Sequence, residues 1–161
     1  MQQIPRPMIQ LPEALYKRVS GMIERHEAKR SKAYDDATGK SVTTLPTGGN
    51  LTIGIGRNLF AKPLTEAEIY YLFNNDLNDA YNDARRAVGA EVFDALTLDR
   101  QAVLLNMAFN LGFAKLTGFV NTLQAVREGR YADAAKGMKQ SLWARQVGGR
   151  ATLLADMMEN G

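Results

Sequence analysis

From Leu98 to Leu111 the chain is apolar on nearly every side of a helix: Val103, Leu104, Leu105, Met107, Ala108 and Phe109 leave no broad polar stripe to face water. Such a helix has to be enclosed by other elements, so the second half of the chain is expected to fold as helices packed round a central rod. Gly112, Gly118, Gly129 and the pair Gly148-Gly149 punctuate the segments around it. With 161 residues, 45% of them hydrophobic, the chain is long enough to bury that core as one compact unit.

A second helix is announced by Pro63-Leu64-Thr65-Glu66-Ala67-Glu68, where Thr65 serves as N-cap and Glu68, three residues on, completes a capping box. Ile69, Leu72, Phe73, Leu77, Ala80, Tyr81 and Ala84 hold helical spacing to about Val88. Upstream, an extended arm over residues 1–11 leads into a helix from Leu11 to about Ala28, with Leu15, Val19, Met22 and Ile23 on one face. Between these helices lie short β-type runs, Lys32-Ala33-Tyr34, Ser41-Val42-Thr43-Thr44 and Leu51-Thr52-Ile53, separated by Thr38-Gly39, Pro46 and Gly48-Gly49-Asn50. They predict a small antiparallel sheet of three strands, with Gly54 and Gly56 in the last strand where a backbone or ligand comes close. The expected class is α+β, mainly α, in one domain of two lobes. An arm and helix start occupy 1–14, a helix with the small β lobe 15–63, a connecting helix 64–88 and a helical lobe 89–161.

Several chemistries are excluded early. Cysteine is absent and histidine occurs once, so neither a disulfide framework nor a Cys/His zinc site can be assembled, and no metal or cofactor is implied. A Ser-His-Asp relay would have to run through His26, whose neighbours Arg25, Glu27, Lys29 and Arg30 read as a solvated helix face. Pro5, Pro7 and Pro12 interrupt the first 20 residues, which lack the apolar core of a signal peptide, and no window approaches a membrane span. A protein made in a cytosol, with no export route of its own and no stable membrane insertion, is expected.

The net charge of +3 conceals an uneven distribution. Residues 1–62 carry ten Lys/Arg against five Asp/Glu, residues 63–99 two against eight, and residues 100–150 eight against two. Two basic regions thus flank an acidic connector, which suits either solubility or attraction to a polyanion. No nucleic-acid motif accompanies the charge, so a bacterial envelope is the preferred polyanion.

The residues that carry chemistry are Glu27 and Asp36, separated by eight residues and followed by Leu51-Thr52-Ile53-Gly54-Ile55-Gly56-Arg57-Asn58-Leu59. Two carboxylates at the edge of a small sheet, with a threonine beside them, are what acid-catalysed glycoside hydrolysis requires: a proton donor and a carboxylate that handles water. Each also has a plain reading. Glu27 fits a helix-surface acid paired with Lys29 or Arg30, Asp36 a turn residue before Ala37-Thr38-Gly39, and Thr52 a favourable strand residue.

Taken in order, the helix ending in Glu27, the eight-residue interval to Asp36, the run Thr52-Ile53-Gly54-Ile55-Gly56, the long connector and the helical lobe resemble the phage T4-type lysozymes, glycoside hydrolase family 24. Further matching pieces are Phe73-Asn74-Asn75-Asp76, Leu105-Asn106-Met107-Ala108-Phe109-Asn110, Gly118-Phe119-Val120-Asn121-Thr122-Leu123, Ser141-Leu142-Trp143 and Gly149-Arg150-Ala151. The similarity extends over roughly residues 15–158 and implies a lysozyme-like fold.

The resemblance implies a muramidase that hydrolyses the β-1,4 bond between N-acetylmuramic acid and N-acetylglucosamine in peptidoglycan, with inversion. Glu27 would be the general acid, Asp36 would orient or deprotonate the water, and Thr52 would hold that water by its hydroxyl. Phe109, Asn110 and Thr122 match cleft-lining positions, although Phe109 and Asn110 suit core and capping roles equally. Arg150 matches an arginine that contacts the acid, and Arg57 is expected to pair with Asp76.

One departure is the interval between Asp36 and Thr52, where fifteen residues stand in place of the family's shorter link. It is read as an enlarged hairpin at the cleft mouth across which Asp36 and Thr52 still meet, with Thr43 or Thr44 as alternative water-holding residues. Such enzymes act as endolysins. They are monomeric and held in the host cytoplasm, and a separate holin releases them to the periplasm and cell wall. The competing readings are a noncatalytic envelope-binding or virion structural module with the same fold, and a lytic transglycosylase, against which Asp36 and Thr52 argue.

Overall fold

The structure is a computed structural model and describes residues 9–27, 29–35, 38–46 and 48–161. Asp36, most of the N-terminal arm and Thr47 lie outside the described residues. In chain order the elements are α1 (Glu13–Glu27), β1 (Thr52–Ile53), β2 (Arg57–Asn58), α2 (Glu66–Val88), α3 (Ala90–Ala95), α4 (Leu98–Thr117), α5 (Val120–Arg127), α6 (Tyr131–Gln140), α7 (Leu142–Val147) and α8 (Gly149–Asn160). The mainly helical α+β class is as expected.

The central rod is α4, in which every residue from Ala102 to Ala108 is buried. Its all-round apolar surface is used on all sides, because α1, α2 and α8 each pack against it. The Thr97 hydroxyl accepts from the Arg100 amide at 3.3 Å and caps its first turn. Helical geometry breaks at Gly112, whose φ of 72° lies in the region that glycine alone enters without strain. Beyond that break the chain resumes to Thr117, and α5, α6 and α8 pack together to complete the lobe.

On α1, the face formed by Leu15, Val19, Met22 and Ile23 is buried as its spacing requires. Its packing partner is α4, and Arg18 reaches Asp99 at 2.5 Å. The first helix therefore packs with the helical lobe, although chain order groups it with the β region over 15–63. Only the segment between α1 and α2 forms the sheet-bearing part.

Helix α2 begins as the sequence predicts. The Thr65 hydroxyl accepts from the Glu68 amide at 3.3 Å, while Glu68 Oε2 accepts from the Thr65 amide at 2.7 Å. The helix ends at Gly89, with φ of 98°, after Ala87 and Val88 have entered the core.

Among the described residues the expected three-stranded sheet is reduced to a hairpin of two-residue strands, Thr52 opposite Asn58 and Ile53 opposite Arg57, with a single bridge elsewhere between Tyr34 and Ser41. Ser41-Val42-Thr43-Thr44 has strand composition, but a ladder needs a partner as well as propensity, and among the described residues pairing by bridges stops at Ser41. Gly54 and Gly56 are turn residues between β1 and β2, with φ of 59° and 70°. Among the described residues nothing lies within 4 Å of a β-carbon built on either one, so positive φ, and not the approach of another backbone, accounts for these glycines. This region is stitched to α2 by the Leu64 amide donating to the Ser31 carbonyl at 2.9 Å and by Lys29 on Glu66 at 2.5 Å.

Candidate active site

Glu27 is the last residue of α1, so it stands where the helix stops and the sheet-bearing segment begins. Arg150, in the first turn of α8, donates from Nη1 to Glu27 Oε1 at 2.8 Å. The same guanidinium donates from Nε and Nη2 to the Asn106 side-chain oxygen at 3.2 and 2.9 Å. Asn106 is fully buried in the middle of α4. The order of burial sets the geometry: the Arg150 side chain is only 10% exposed and Glu27 is 40% exposed, so the cation forms a floor beneath a carboxyl that reaches solvent.

That floor was only partly legible from sequence. The Arg150–Glu27 contact matches the expectation carried by the family resemblance, whereas Asn106 had no assigned role. Its signal was available, since it is the one amide within the apolar run from Ala102 to Ala108. A buried amide in such a run needs partners, and its oxygen takes two donors from Arg150, while its Nδ2 has none among the described residues.

His26, read from its neighbours as a solvated surface residue, is half-buried. Its Nδ1 is shut off from solvent and has no hydrogen-bond partner among the described residues. Burial, then the nearby charge of Arg150, and to a lesser degree Arg25 push the imidazole below its ordinary value, with Glu27 acting in the opposite direction.

Thr52 occupies β1, and its exposed hydroxyl donates to the Asn50 carbonyl at 3.3 Å. Asp36 lies outside the described residues. Its neighbour Asp35 donates its amide to the Lys40 carbonyl at 2.9 Å, and Arg30 reaches the Gly39 carbonyl at 2.7 Å, so the flanking chain is folded back on itself.

The expected Arg57–Asp76 pair does not form. Arg57 bonds instead to the Glu68 carboxylate in the first turn of α2 and to the Pro63 and Lys62 carbonyls just before that helix. Residues five to eleven positions away along the chain satisfy its guanidinium before α2 has run as far as Asp76. Asp76 sits instead in a groove of about 250 Å³ with Asp79, Asp83, Phe109 and Gly112. Partial burial and then repulsion from Asp79 push its carboxyl above the ordinary aspartate value.

The three expected cleft residues have different surroundings. Phe109 packs its ring against Phe73 of α2, with centroids 5.8 Å apart, and lines the Asp76 groove. Asn110 accepts the Trp143 indole N–H at 2.8 Å, tying α4 to α7. Thr122 is buried and lines a second groove of about 290 Å³ with Asn121, Arg130, Asp133 and Gly137.

The arrangement can present a carboxylic acid in a fixed orientation above a buried cation. Sequence comparison places the chain in a family. A family profile described as phage lysozyme matches residues 24–156. The Pre-baseplate central spike protein Gp5 of Enterobacteria phage T4 is 28% identical over 87% of this chain, which covers 27% of that protein. Probable T4-type lysozyme 1 of Dictyostelium discoideum is 28% identical over 61% of the chain and 58% of its own length. Probable T4-type lysozyme 2 of the same organism is 25% identical over 87% of the chain and 92% of its own length. The chain therefore spans about a quarter of the spike protein and somewhat over half of the first of the two lysozymes. With the profile covering most of its length, this chain belongs to the phage lysozyme family.

Proposed function

We propose that this lysozyme-type protein hydrolyses the β-1,4 bond between N-acetylmuramic acid and N-acetylglucosamine in peptidoglycan. The observation that carries the reading is the chain of contacts from buried Asn106 through Arg150 to Glu27 at the end of α1. Arg150 occupies Oε1, so the proton of the acid belongs on Oε2, from which Glu27 delivers it to the leaving oxygen. Asp36 takes the proton of a water that attacks the opposite face of the sugar, and the Thr52 hydroxyl orients that water. The anomeric configuration is then inverted. Substrate-contact roles for Phe109, Asn110 and Thr122 belong to the same proposal. The biological setting proposed is lysis of a bacterial host, the monomeric enzyme waiting in the cytoplasm until a holin admits it to the periplasm and cell wall.

The similarity to a spike protein favours a second reading, in which the same fold serves as a virion module without turnover. Mass spectrometry of fragments from purified peptidoglycan separates the possibilities. New reducing ends on N-acetylmuramic acid support the muramidase, anhydro ends indicate a transglycosylase, and intact glycan leaves only the structural module.

A further inference from the structure

Gly137 lies inside α6, and no positive φ calls for it. Glycine weakens a helix interior relative to alanine, so the reason for it lies across the helix interface. There a β-carbon would come within 2.5 Å of the Thr122 hydroxyl of α5. Thr122 is only 5% exposed, yet its hydroxyl has no hydrogen-bond partner among the described residues. A hydroxyl buried in that way has given up hydration with nothing in exchange. It is not sealed, however. Among the described residues the enclosed side-chain atoms without a partner are His26 Nδ1 and Asn106 Nδ2, so the Thr122 oxygen keeps access to the groove of about 290 Å³ that it lines with Gly137.

The charges at the rim of this groove are engaged with one another. Arg130 reaches Glu128 and Asp133, each at 2.5 Å, and an ionic ligand would have to displace those pairs. What remains is the Thr122 hydroxyl and the exposed carboxamide of Asn121, which also has no partner among the described residues. Beside them lies the methyl of buried Ala125. A donor, an acceptor and a small apolar wall without net charge are complementary to an amide that ends in a methyl, which is an acetamido group.

We propose that the groove between α5 and α6 is a glycan subsite that takes the N-acetyl group of a peptidoglycan sugar, and that Gly137 is the specificity-determining residue that keeps it open. The choice of glycan rests on the muramidase reading, and the proposal adds to the contact role of Thr122 the chemical group contacted. The Thr122 hydroxyl donates to the acetamido carbonyl, the Asn121 side-chain oxygen accepts the acetamido N–H, and the methyl lies against Ala125 and the bare face of Gly137. A volume of about 290 Å³ stands at the lower end of small-ligand sites and suits one sugar residue. Helix α6 packs against α8, which carries Arg150 in its first turn, so a strand gripped here is held by the same lobe that fixes the acid.

Residue-resolved NMR titration of the intact protein tests the subsite without turnover. N-acetylglucosamine should shift the backbone amides of Thr122 and Gly137 and the side-chain amide of Asn121, whereas glucose, with a hydroxyl in place of the acetamido group, should not. Thr122→Val keeps the shape and removes the hydroxyl, so affinity read from those signals should fall about two- to tenfold, the range of one neutral hydrogen bond. Gly137→Ala should abolish the response. Should that variant fail to fold, Thr122→Val and Asn121→Ala decide, and native affinity in both overturns the subsite. An equal response to glucose, shifts confined to other residues, or a stronger response to a sugar-free stem peptide would overturn it as well. The two readings fail separately. Peptidoglycan left uncut while these shifts persist removes the muramidase reading and leaves the subsite, and cleavage without the shifts removes the subsite alone.

Discussion

Arg57 of β2 holds Glu68 in the first turn of α2, and the same carboxylate accepts the Thr65 amide that opens the helix. One side chain thereby caps a helix and joins it to the hairpin. Arg57 first, and then the Thr65 amide and hydroxyl, hold Glu68 down to about 2 against an ordinary value of 4.5. A carboxylate with a depressed folded-state value contributes stability that is fully present above 4.5 and is lost as pH falls toward 2. Urea denaturation across that range should show a steeper loss of stability in the native chain than in Glu68→Gln. Parallel slopes would show that the junction contributes no pH dependence.

Glu27→Gln preserves shape and the Arg150 contact while removing acidity. Turnover on peptidoglycan should drop by ~10²–10⁴, the range of general acid catalysis, with the circular dichroism spectrum unchanged. Near-native lysis by the folded variant would remove Glu27 from the chemistry.

Thr52→Ala should impair hydrolysis more than Thr43→Ala or Thr44→Ala, because one hydroxyl is proposed to hold the attacking water. Steady-state rates for the three variants provide the ranking, and the opposite order would transfer the role into the segment between Asp36 and Thr52.

Asn106→Ala deprives Arg150 Nε and Nη2 of their acceptor in a buried setting. Leaving such donors unsatisfied costs about 1–3 kcal/mol, measurable by chemical denaturation. If Asn106 also steadies the guanidinium under Glu27, kcat should fall by more than KM changes. A loss of stability with an unaltered kcat would restrict Asn106 to the core.

Gly137 of α6 lies where a β-carbon would come within 2.5 Å of the Thr122 hydroxyl. Gly137→Ala should destabilise by roughly 1–3 kcal/mol through overpacking. Thr122→Ala removes that hydroxyl, so the double variant should recover much of the loss. Additive losses in the double-mutant cycle would mean that the two helices separate without strain.

The helices were legible because burial imposes a period. Leu15, Val19, Met22 and Ile23 mark a one-sided face, the Thr65–Glu68 box marks a start, and the unbroken apolar surface of α4 marks a centre. The β region was less legible because composition describes a residue's preference and leaves its partner unspecified. Val42, Thr43 and Thr44 have strand character without a ladder, and Gly54 and Gly56 serve the turn. Long-range polar pairs divide by a similar rule. Arg150 on Glu27 was legible through family resemblance, whereas Arg57 was assigned to Asp76 although Glu68 and two carbonyls lay closer along the chain. His26 was misjudged because charged neighbours in sequence say little about the side of a helix on which a ring is enclosed.

Glu27 and the arginine that fixes it are 123 positions apart. During synthesis Glu27 is made before its anchor, with the central rod and most of the helical lobe translated in between. Closing so long a loop is entropically unfavourable until the intervening helices have packed. A ribosome that stalls before residue 150 therefore holds a chain whose acid has no fixed direction. The direction of the Glu27 side chain is therefore fixed only after residue 150 has been made and α8 has begun to pack.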